Sequence, residues 1–480
     1  MNVQADTLLA QKARPREDQP AVPIQSLSWK RGLLLALGAV AAFHLAYTFP
    51  PLAFLIVAFL FFLFELAALP RQRQAFYFGF TIGGAVYAPH LAFFWSIFGW
   101  PSIALWTVPA FWLGLFVVLA RLCRLNFGRL ALVLVPFVWT GLEFFRGELY
   151  YLHFSWLSVG YAFADSPQIF TTTRLGMYGV GLVFMAFAAS LSLVPTRRAA
   201  FWGSVGLVAL GCWVNLPGQP EATTKPTGLH VAGLQMEFPV PLEVPAALDK
   251  LLDNHREAEL FVLSEYTFDG PIPERVKAWC RKQKKYLIAG GKDPIDDGTE
   301  FFNTAFVVDP DGEIVFRQVK SVPIQFFKDG RPALEQKLWE SPWGKLGLCV
   351  CYDLSYRSVT DELIRQGAQA IIAPTMDVAD WGGYQHRLHA RVAPVRAAEY
   401  GLPIFRVCSS GISQLIDGAG SVVASAPFPG EQAAISGPLE LVRRGHLPLD
   451  HWLSPLASFV TAAIVVWLAG KALLSKCSKL

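Results

Sequence analysis

The sequence predicts a helical membrane bundle of about eight spans joined to one α/β domain whose sheets are covered by helices. Three observations predict it. Hydrophobic residues make up 53% of the 480 and charged residues only 16%, where a soluble chain carries about 25% charge. Long apolar runs follow one another from about 31 to 216, and one more follows 453. The stretch between them, 217–453, has ordinary polarity and alternates β-rich with helical patterns. Aromatic content of 14%, with 15 Trp and 37 Phe, excludes a disordered chain. A net charge of +4 leaves no electrostatic footprint for nucleic acid.

Residues 1–30 are polar and contain prolines, without a cleavage site before an apolar core; they read as a cytoplasmic tail and not a signal peptide. Eight apolar runs follow, at 32–49, 51–69, 75–97, 102–120, 129–144, 172–195, 199–216 and 454–473. A bilayer-crossing helix needs about 20 mostly apolar residues. The fifth run is the shortest, and Glu143, Arg146 and Glu148 crowd its end. His44 and His90 lie inside runs, where ionisable side chains are functional candidates by default.

Orientation follows from the basic residues. Lys12, Arg14, Arg16, Lys30 and Arg31 precede the first run; Arg71 and Arg73 separate the second and third; Arg121, Arg124 and Arg129 the fourth and fifth; Arg197 and Arg198 the sixth and seventh; Lys471, Lys476 and Lys479 close the chain. Every second connection is basic. Both termini are therefore expected in the cytoplasm, with 217–453 on the far side and 454–480 forming the last span and a short tail.

In 217–453, strands are expected at 229–235, 260–264, 286–290, 304–308, 313–319, 346–351, 370–374, 404–408 and 420–425, and helices around 244–257, 274–284, 358–366 and 387–400. Ser358 is the expected N-cap of the third helix, with Asp361 three residues on. No glycine-rich phosphate loop is present; Gly290-Gly291 lacks the rest of any nucleotide fingerprint. The 7 cysteines are scattered without a paired Cys-x-x-Cys pattern, and His386 with His389 lacks a third ligand, so neither a metal nor a cofactor is expected. Cys349 and Cys351 are expected on one face of a strand, a poor geometry for a disulfide.

Three strand ends carry chemistry. Phe261-Val-Leu-Ser-Glu265 ends on a carboxylate, Val319-Lys320 on a cation, and Gly344-Lys-Leu-Gly-Leu-Cys-Val-Cys351-Tyr352-Asp353 on a thiol at a sharp turn before a helix. A thiol with a pKa of about 8.5 is mostly neutral at pH 7. Glu265 would take its proton as general base. Lys320 would favour the thiolate and then the oxyanion of a tetrahedral intermediate, with the backbone N–H after Cys351 as a second donor. About 55 and 31 residues separate the three, so spacing alone does not unite them.

A family pattern does. Val231-Ala-Gly-Leu-Gln235, Leu-Ser-Glu265-Tyr, Phe302-Asn303-Thr-Ala, Lys320, Gly347-Leu-Cys-Val-Cys351-Tyr-Asp and the stretch from Arg391 to Pro403 resemble the carbon–nitrogen hydrolase (nitrilase) superfamily. That resemblance implies a four-layer αββα sandwich and a Glu–Lys–Cys triad at Glu265, Lys320 and Cys351. A nitrilase-like domain between membrane runs seven and eight, with Glu143-Phe-Phe-Arg146, Phe154-Ser-Trp156-Leu-Ser-Val-Gly160-Tyr161 and Asp380-Trp381-Gly-Gly, resembles the apolipoprotein N-acyltransferase family over nearly the whole chain. The family implies acyl transfer from a phospholipid donor, through a Cys351 thioester, to the α-amine of a diacylglyceryl-modified lipoprotein at the periplasmic face of the bacterial inner membrane. Tyr352, Asp353, Trp381 and Gln325 become candidate substrate-contacting residues. The chain departs from the family pattern at Asp353, where the acyltransferases usually have Glu, and at Val322-Pro323-Ile-Gln325, where Val-Pro-Phe-Gly-Glu is common. A register anchored on Pro323 would put Gln318 opposite the family lysine; Lys320 is preferred because a cation is needed. Alternatives of other classes are a membrane-anchored amidase using the same triad on another substrate, and a lipid-binding scaffold without catalysis.

Overall fold

The computed structural model describes residues 27–193, 196–215, 228–295, 298–428 and 432–477. Most of the expected N-terminal tail and residues 216–227 lie outside the described residues; Trp29 and Lys30 already belong to the first helix.

Helices form at each of the eight apolar runs: α1 (Trp29–Thr48), α2 (Ile56–Leu66, entered by a 3-10 turn Pro50–Leu55), α3 (Gln72–His90) followed by the short α4 (Phe93–Phe98), α5 (Pro101–Phe127), α6 (Ala131–Phe144), the short α7 (Gln168–Thr173) preceding α8 (Gly176–Leu191), α9 (Thr196–Val214) and, after the α/β domain, a long helix Asp450–Cys477. The third run is not one helix. Pro89 lies within its last turn and removes a backbone donor there, and the chain restarts at Phe93. The fifth run continues through a π-helical turn, Phe145–Leu149. Three stretches are long and apolar enough to cross a membrane by length and composition: Trp29–Thr48, Pro101–Leu149 and Asp450–Ser475. Pro50–Leu66 and Gly176–Leu191 are shorter apolar helices. Close crossing of α3 and α5 depends on glycine: a Cβ at Gly83 would meet the Ala110 Cα at 2.5 Å.

The α/β domain contains two six-stranded sheets. One has the order β12-β1-β2-β3-β4-β5 and the other β11-β10-β9-β8-β7-β6, with β1 Gly228–Leu234, β2 Leu260–Leu263, β3 Tyr286–Ile295, β4 Glu300–Val308, β5 Ile314–Val319, β6 Leu338–Ser341, β7 Gly344–Leu348, β8 Ala370–Thr375, β9 Ile404–Cys408, β10 Ser413–Ile416, β11 Val422–Ala426 and β12 Ala434–Glu440. The strands β1, β2 and β3 run parallel, as do β7, β8 and β9; parallel neighbours need crossovers. Helices α10 (Val244–Asn254) and α11 (Glu274–Gln283) make the crossovers of the first sheet, while α12 (Arg357–Gln366), α13 (Gly383–Ala390) and α14 (Val392–Tyr400) connect strands of the second. Leu248, Leu251, Val276 and Trp279 pack with Ala232, Phe261 and Leu287 on the outer side of the first sheet. The sheets face each other, since a Cβ at Gly233 of β1 would run into Val407 and Phe405 of β9. The result is the expected αββα sandwich.

Three strands, β6, β10 and β12, have no counterpart in the sequence expectation. β6 and β10 are only four residues long, and β12 is interrupted by Gly437 and Pro438, so periodicity gives them little signal. Ser358 is not the N-cap of α12. The helix begins one residue earlier, at Arg357, with Tyr356 at the cap and no side-chain cap bond; the Arg357 N–H is instead taken by Glu148 from the membrane half at 3.2 Å.

Bundle and sandwich are joined by buried polar contacts. Trp156 Nε1 donates to Ser355 Oγ at 2.9 Å, and the Met177 N–H at the start of α8 donates to Glu399 at 2.9 Å. The final helix, α15 (Asp450–Cys477), presents the Asp450 carboxylate to the Tyr178 N–H at 3.1 Å. His44 and His90 have partners: His44 Nδ1 lies 3.0 Å from His90 Nε2, and His90 contacts the Tyr384 hydroxyl of α13.

Candidate active site

Cys351 does not share a strand with Cys349. Strand β7 ends at Leu348, and Cys351 opens a 3-10 turn, Cys351–Ser355. Its φ is +53°, a left-handed conformation that costs a non-glycine residue about 1–3 kcal/mol. Asp353 holds that turn. Its Oδ2 accepts the Val350 N–H at 3.2 Å, while its carboxylate also accepts the N–H groups of Ser321 at 3.0 Å and Val322 at 2.7 Å. One buried side chain thus ties the thiol turn to the segment that follows Lys320. Burial pushes the Asp353 carboxyl up to about 7, against the pull of Lys320 and those three N–H groups.

Glu265 follows β2, and the chain bends at Tyr266 with φ +51°. The bend lies so close to β3 that a Cβ at Gly290 would meet the Glu265 Cα at 2.5 Å; this is the role of the glycine pair that fits no nucleotide loop. Glu265 Oε1 accepts from Lys320 Nζ at 2.9 Å and from Asn303 Nδ2 at 2.6 Å, and Oε2 accepts the Met376 N–H at 2.9 Å. Burial raises its pKa despite Lys320. Lys320 has no exposed side-chain surface and lies 2.7 Å from Asp329 as well. These two carboxylates hold its ammonium well above the ordinary lysine value, against burial. Cys351 is 2% exposed and its Sγ points to Met376 O at 3.7 Å. Burial first, then Glu265, push the thiol well up, and Lys320 draws it down.

The structure thus brings Glu265, Lys320 and Cys351 to one place. Gln318 has other partners: its Nε2 donates to Val319 O at 2.8 Å and Glu335 O at 3.3 Å, and its Oε1 accepts the Lys337 N–H at 2.9 Å. Asp329 is the residue that sequence reasoning missed. It accepts from Asn303 Nδ2 and the Tyr266 hydroxyl, each at 2.8 Å, and from the Ile324 N–H at 2.7 Å. Its only sequence signal is an acidic residue a short loop after the lysine. Among the described residues no cluster of three or more His, Cys, Asp or Glu side chains could hold a metal ion.

A cleft with about 1100 Å³ of open space begins at the thiol. The α/β domain contributes Cys351, Tyr352, Met376 and His389 to its wall, and the helical half contributes Tyr87, Leu91, Phe94, Leu105, Val108 and Trp112. Over it lie three aromatic side chains, Phe327 between Phe98 at 5.6 Å and Trp381 at 6.1 Å. Tyr352 donates its hydroxyl to His153 O at 3.2 Å and meets Trp156 edge-on at 5.9 Å. Gln325 lies against His153 Nε2 at 2.8 Å, in the wall of the cleft.

Both halves of the chain match known families. The profile described as apolipoprotein N-acyltransferase N-terminal domain matches residues 32–190, and the profile described as carbon-nitrogen hydrolase matches 241–439. The two matches together support an apolipoprotein N-acyltransferase that carries a nitrilase-superfamily domain. An apolipoprotein N-acyltransferase of Rhizobium rhizogenes is 26% identical over 422 residues, covering 74% of this chain and 76% of the relative. That of Allorhizobium ampelinum is 26% identical over 485 residues, covering 82% and 87%. Among solved structures, a Saccharomyces cerevisiae member of branch 10 of the nitrilase superfamily has a TM-score of 0.40 at 18% identity, covering 46% of this chain and 93% of that one.

Proposed function

We propose that this chain, as an apolipoprotein N-acyltransferase, moves a fatty acyl group from a membrane phospholipid to the N-terminal amine of S-diacylglyceryl-cysteine lipoproteins. The observation that carries the reading is the continuity of the cleft: a buried thiol beside a carboxylate and an ammonium opens into a space walled by membrane helices. Acyl chains of donor and acceptor would reach the thiol from the bilayer without crossing water.

In the proposed route Glu265 takes the Cys351 proton and the sulfur attacks the sn-1 ester carbonyl. Lys320 steadies the oxyanion. Glu265 returns the proton to the leaving lysophospholipid oxygen, and the acyl group rests on Cys351 as a thioester. The acceptor amine then attacks the thioester and regenerates the thiol. Tyr352 and Trp381 would contact the acyl chains; Asp353 would hold the turn of Cys351, and Gln325 the cleft wall. No cofactor is required.

The same reading places eight crossings in the bacterial inner membrane: seven in 31–216 and the last in 454–480, with 1–30 and the C-terminus cytoplasmic and 217–453 periplasmic. The alternating basic connections support it. Mass spectrometry of purified protein given phospholipid tests the chemistry. The expected result is an acyl adduct on Cys351 that is absent in Cys351→Ala; wild-type protein that never acquires an adduct would sink the proposal. Complementation of an N-acyltransferase depletion, read on one lipoprotein's N-terminus, tests the acceptor.

A further inference from the structure

Beside the triad, the cleft wall contains a second acid–base cluster that the route above does not use. His389 of α13 is 2% exposed and lines the cleft together with Cys351. Its Nδ1 lies 2.7 Å from Asp377 Oδ1. Asp377 has no exposed surface, follows β8 one residue after the Met376 that contacts both Glu265 and Cys351, and pairs through Oδ2 with Arg406 Nη2 at 2.6 Å. Gln385 Nε2 adds a third donor to the carboxylate at 3.1 Å. Trp156 stacks on the imidazole, 4.5 Å between centroids and 16° between planes. The ring is therefore fixed in place and orientation.

The tautomer follows from these contacts. Nδ1 faces both Asp377 Oδ1 at 2.7 Å and Arg406 Nη2 at 3.0 Å; the shorter contact is to a carboxylate that can only accept, which assigns the ring N–H to Nδ1, donated to Asp377. That leaves the Nε2 lone pair as the free basic site. The charged and titratable groups around the ring are Asp377, Arg406 and His386; burial and Arg406 outweigh Asp377 and lower the pKa of His389. At neutral pH the imidazole is unprotonated, the form a base needs.

The proton count of the second half-reaction calls for such a group. An α-amine has a pKa of about 7.7–8.0, so the acceptor reaches the cleft mostly as an ammonium. Conversion of an ammonium to an amide N–H releases two protons: one before attack, to free the lone pair, and one from the zwitterionic intermediate. Glu265 can take the second and hand it to the departing Cys351 sulfur, which restores the thiol. The first has no receiver in the triad.

We propose that His389, held by Asp377, removes the first proton from the acceptor's α-ammonium at Nε2, which makes it a catalytic base of the aminolysis step. The freed amine attacks the thioester carbonyl, the C–S bond breaks as the amide forms, and the imidazolium later releases its proton to water. This rests on the acyl-enzyme reading above.

The test starts from acyl-enzyme already formed with phospholipid and compares two nucleophiles, a diacylglyceryl-cysteine peptide and hydroxylamine, which is neutral at pH 7 and needs no base. In His389→Gln the rate ratio of peptide to hydroxylamine should fall about 100-fold at pH 7, the usual contribution of a positioned base, and should recover near pH 9, where the peptide amine is free. An unchanged ratio overturns the proposal, and so does an equal fall with both nucleophiles, which marks a structural histidine. Wild-type protein gives a second readout that depends on no variant. Between about pH 6 and 8 its peptide rate should exceed what the free-amine fraction allows; a rate proportional to free amine overturns the proposal. Wild-type protein that forms no thioester fails the acyltransferase reading itself, a different result.

Discussion

Lys320 Nζ lies 2.9 Å from Glu265 Oε1, and neither side chain has any exposed surface. A buried pair of this kind does not stabilise a fold cheaply, because both charges give up water. Asn303, the Met376 N–H and Asp329 satisfy the remaining polar sites. Glu265→Gln keeps the shape and removes the base, so thioester formation should fall by about 10²–10⁴ with little change in melting temperature. Lys320→Met should do both kinds of damage: it leaves two carboxylates buried without their cation, at a cost of about 3–5 kcal/mol. Rates of adduct formation and thermal unfolding in detergent separate the two. Equal melting temperatures for the two variants would contradict this account.

Asp329 shares the ammonium with Glu265 and also carries the loop above it, through the Ile324 N–H and the Tyr266 hydroxyl. Asp329→Asn should therefore slow acylation by about tenfold or more while Glu265 stays in place. It should also loosen the 321–330 loop, read as faster amide exchange at Ile324. An exchange rate equal to wild type would show that the loop is held by something else.

That residue also shows what could be read from the sequence and what could not. Glu265, Lys320 and Cys351 each come within three residues after a strand, β2, β5 and β7, so their family pattern survives in one chain. Asp329 sits in a loop with no periodicity, and its role comes from a fold-back that brings it under Lys320. The same holds for Asp377, which no sequence pattern singles out, and for His389, which in sequence is paired only with His386 as an incomplete metal set. The short strands β6 and β10 were invisible because four residues carry too little alternation. The left-handed turn at Cys351 was legible only as a sharp turn; its clamp by Asp353 requires two segments about 30 residues apart to meet.

The Cys351 thiol should be unreactive at rest. Burial and the neighbouring Glu265 hold it protonated, and Lys320 only partly offsets them. Alkylation by iodoacetamide should stay slow, with no thiolate plateau, from about pH 6 to 9. A plateau at neutral pH would mean a preformed thiolate and remove the need for Glu265 as base.

Asp353 predicts a pH effect on stability. Its folded pKa of about 7 is above the ordinary aspartate value, so the folded state holds a proton that the unfolded chain has lost. Its contribution is fully present below about pH 4 and is lost as pH rises through 7. Melting temperature should fall from about pH 4 to 7 and level off above it, and the slope should flatten in Asp353→Asn. A steeper slope in the variant would reverse the sign assigned here.

The aromatic cover makes a prediction about chain length. Phe327 bridges Phe98 of the membrane half and Trp381 of the catalytic half, above the apolar cleft. Phe327→Ala and Trp381→Ala should slow thioester formation from long-chain phospholipids about tenfold and from a short activated ester much less, since each of these partly exposed rings offers the chains mainly apolar area. Equal losses for both donors would assign these rings to folding.

Arg396 joins the nucleophile turn to the bundle. Its guanidinium donates to Leu354 O at 3.1 Å and Ser355 O at 2.8 Å, and pairs with Glu399 at 2.8 Å; Glu399 in turn accepts the Met177 N–H of α8 at 2.9 Å. The arginine has no exposed side-chain surface. Arg396→Met would strand the Glu399 charge and two carbonyls, at about 3–5 kcal/mol. Arg396→Lys should recover only part of it, because an ammonium lacks the planar fork that reaches both carbonyls and the carboxylate. Adding Glu399→Gln to Arg396→Met removes the stranded charge while keeping an acceptor for Met177, so the double variant should be more stable than Arg396→Met alone. Strictly additive losses in this cycle, measured by thermal unfolding in detergent, would show that the two side chains act independently.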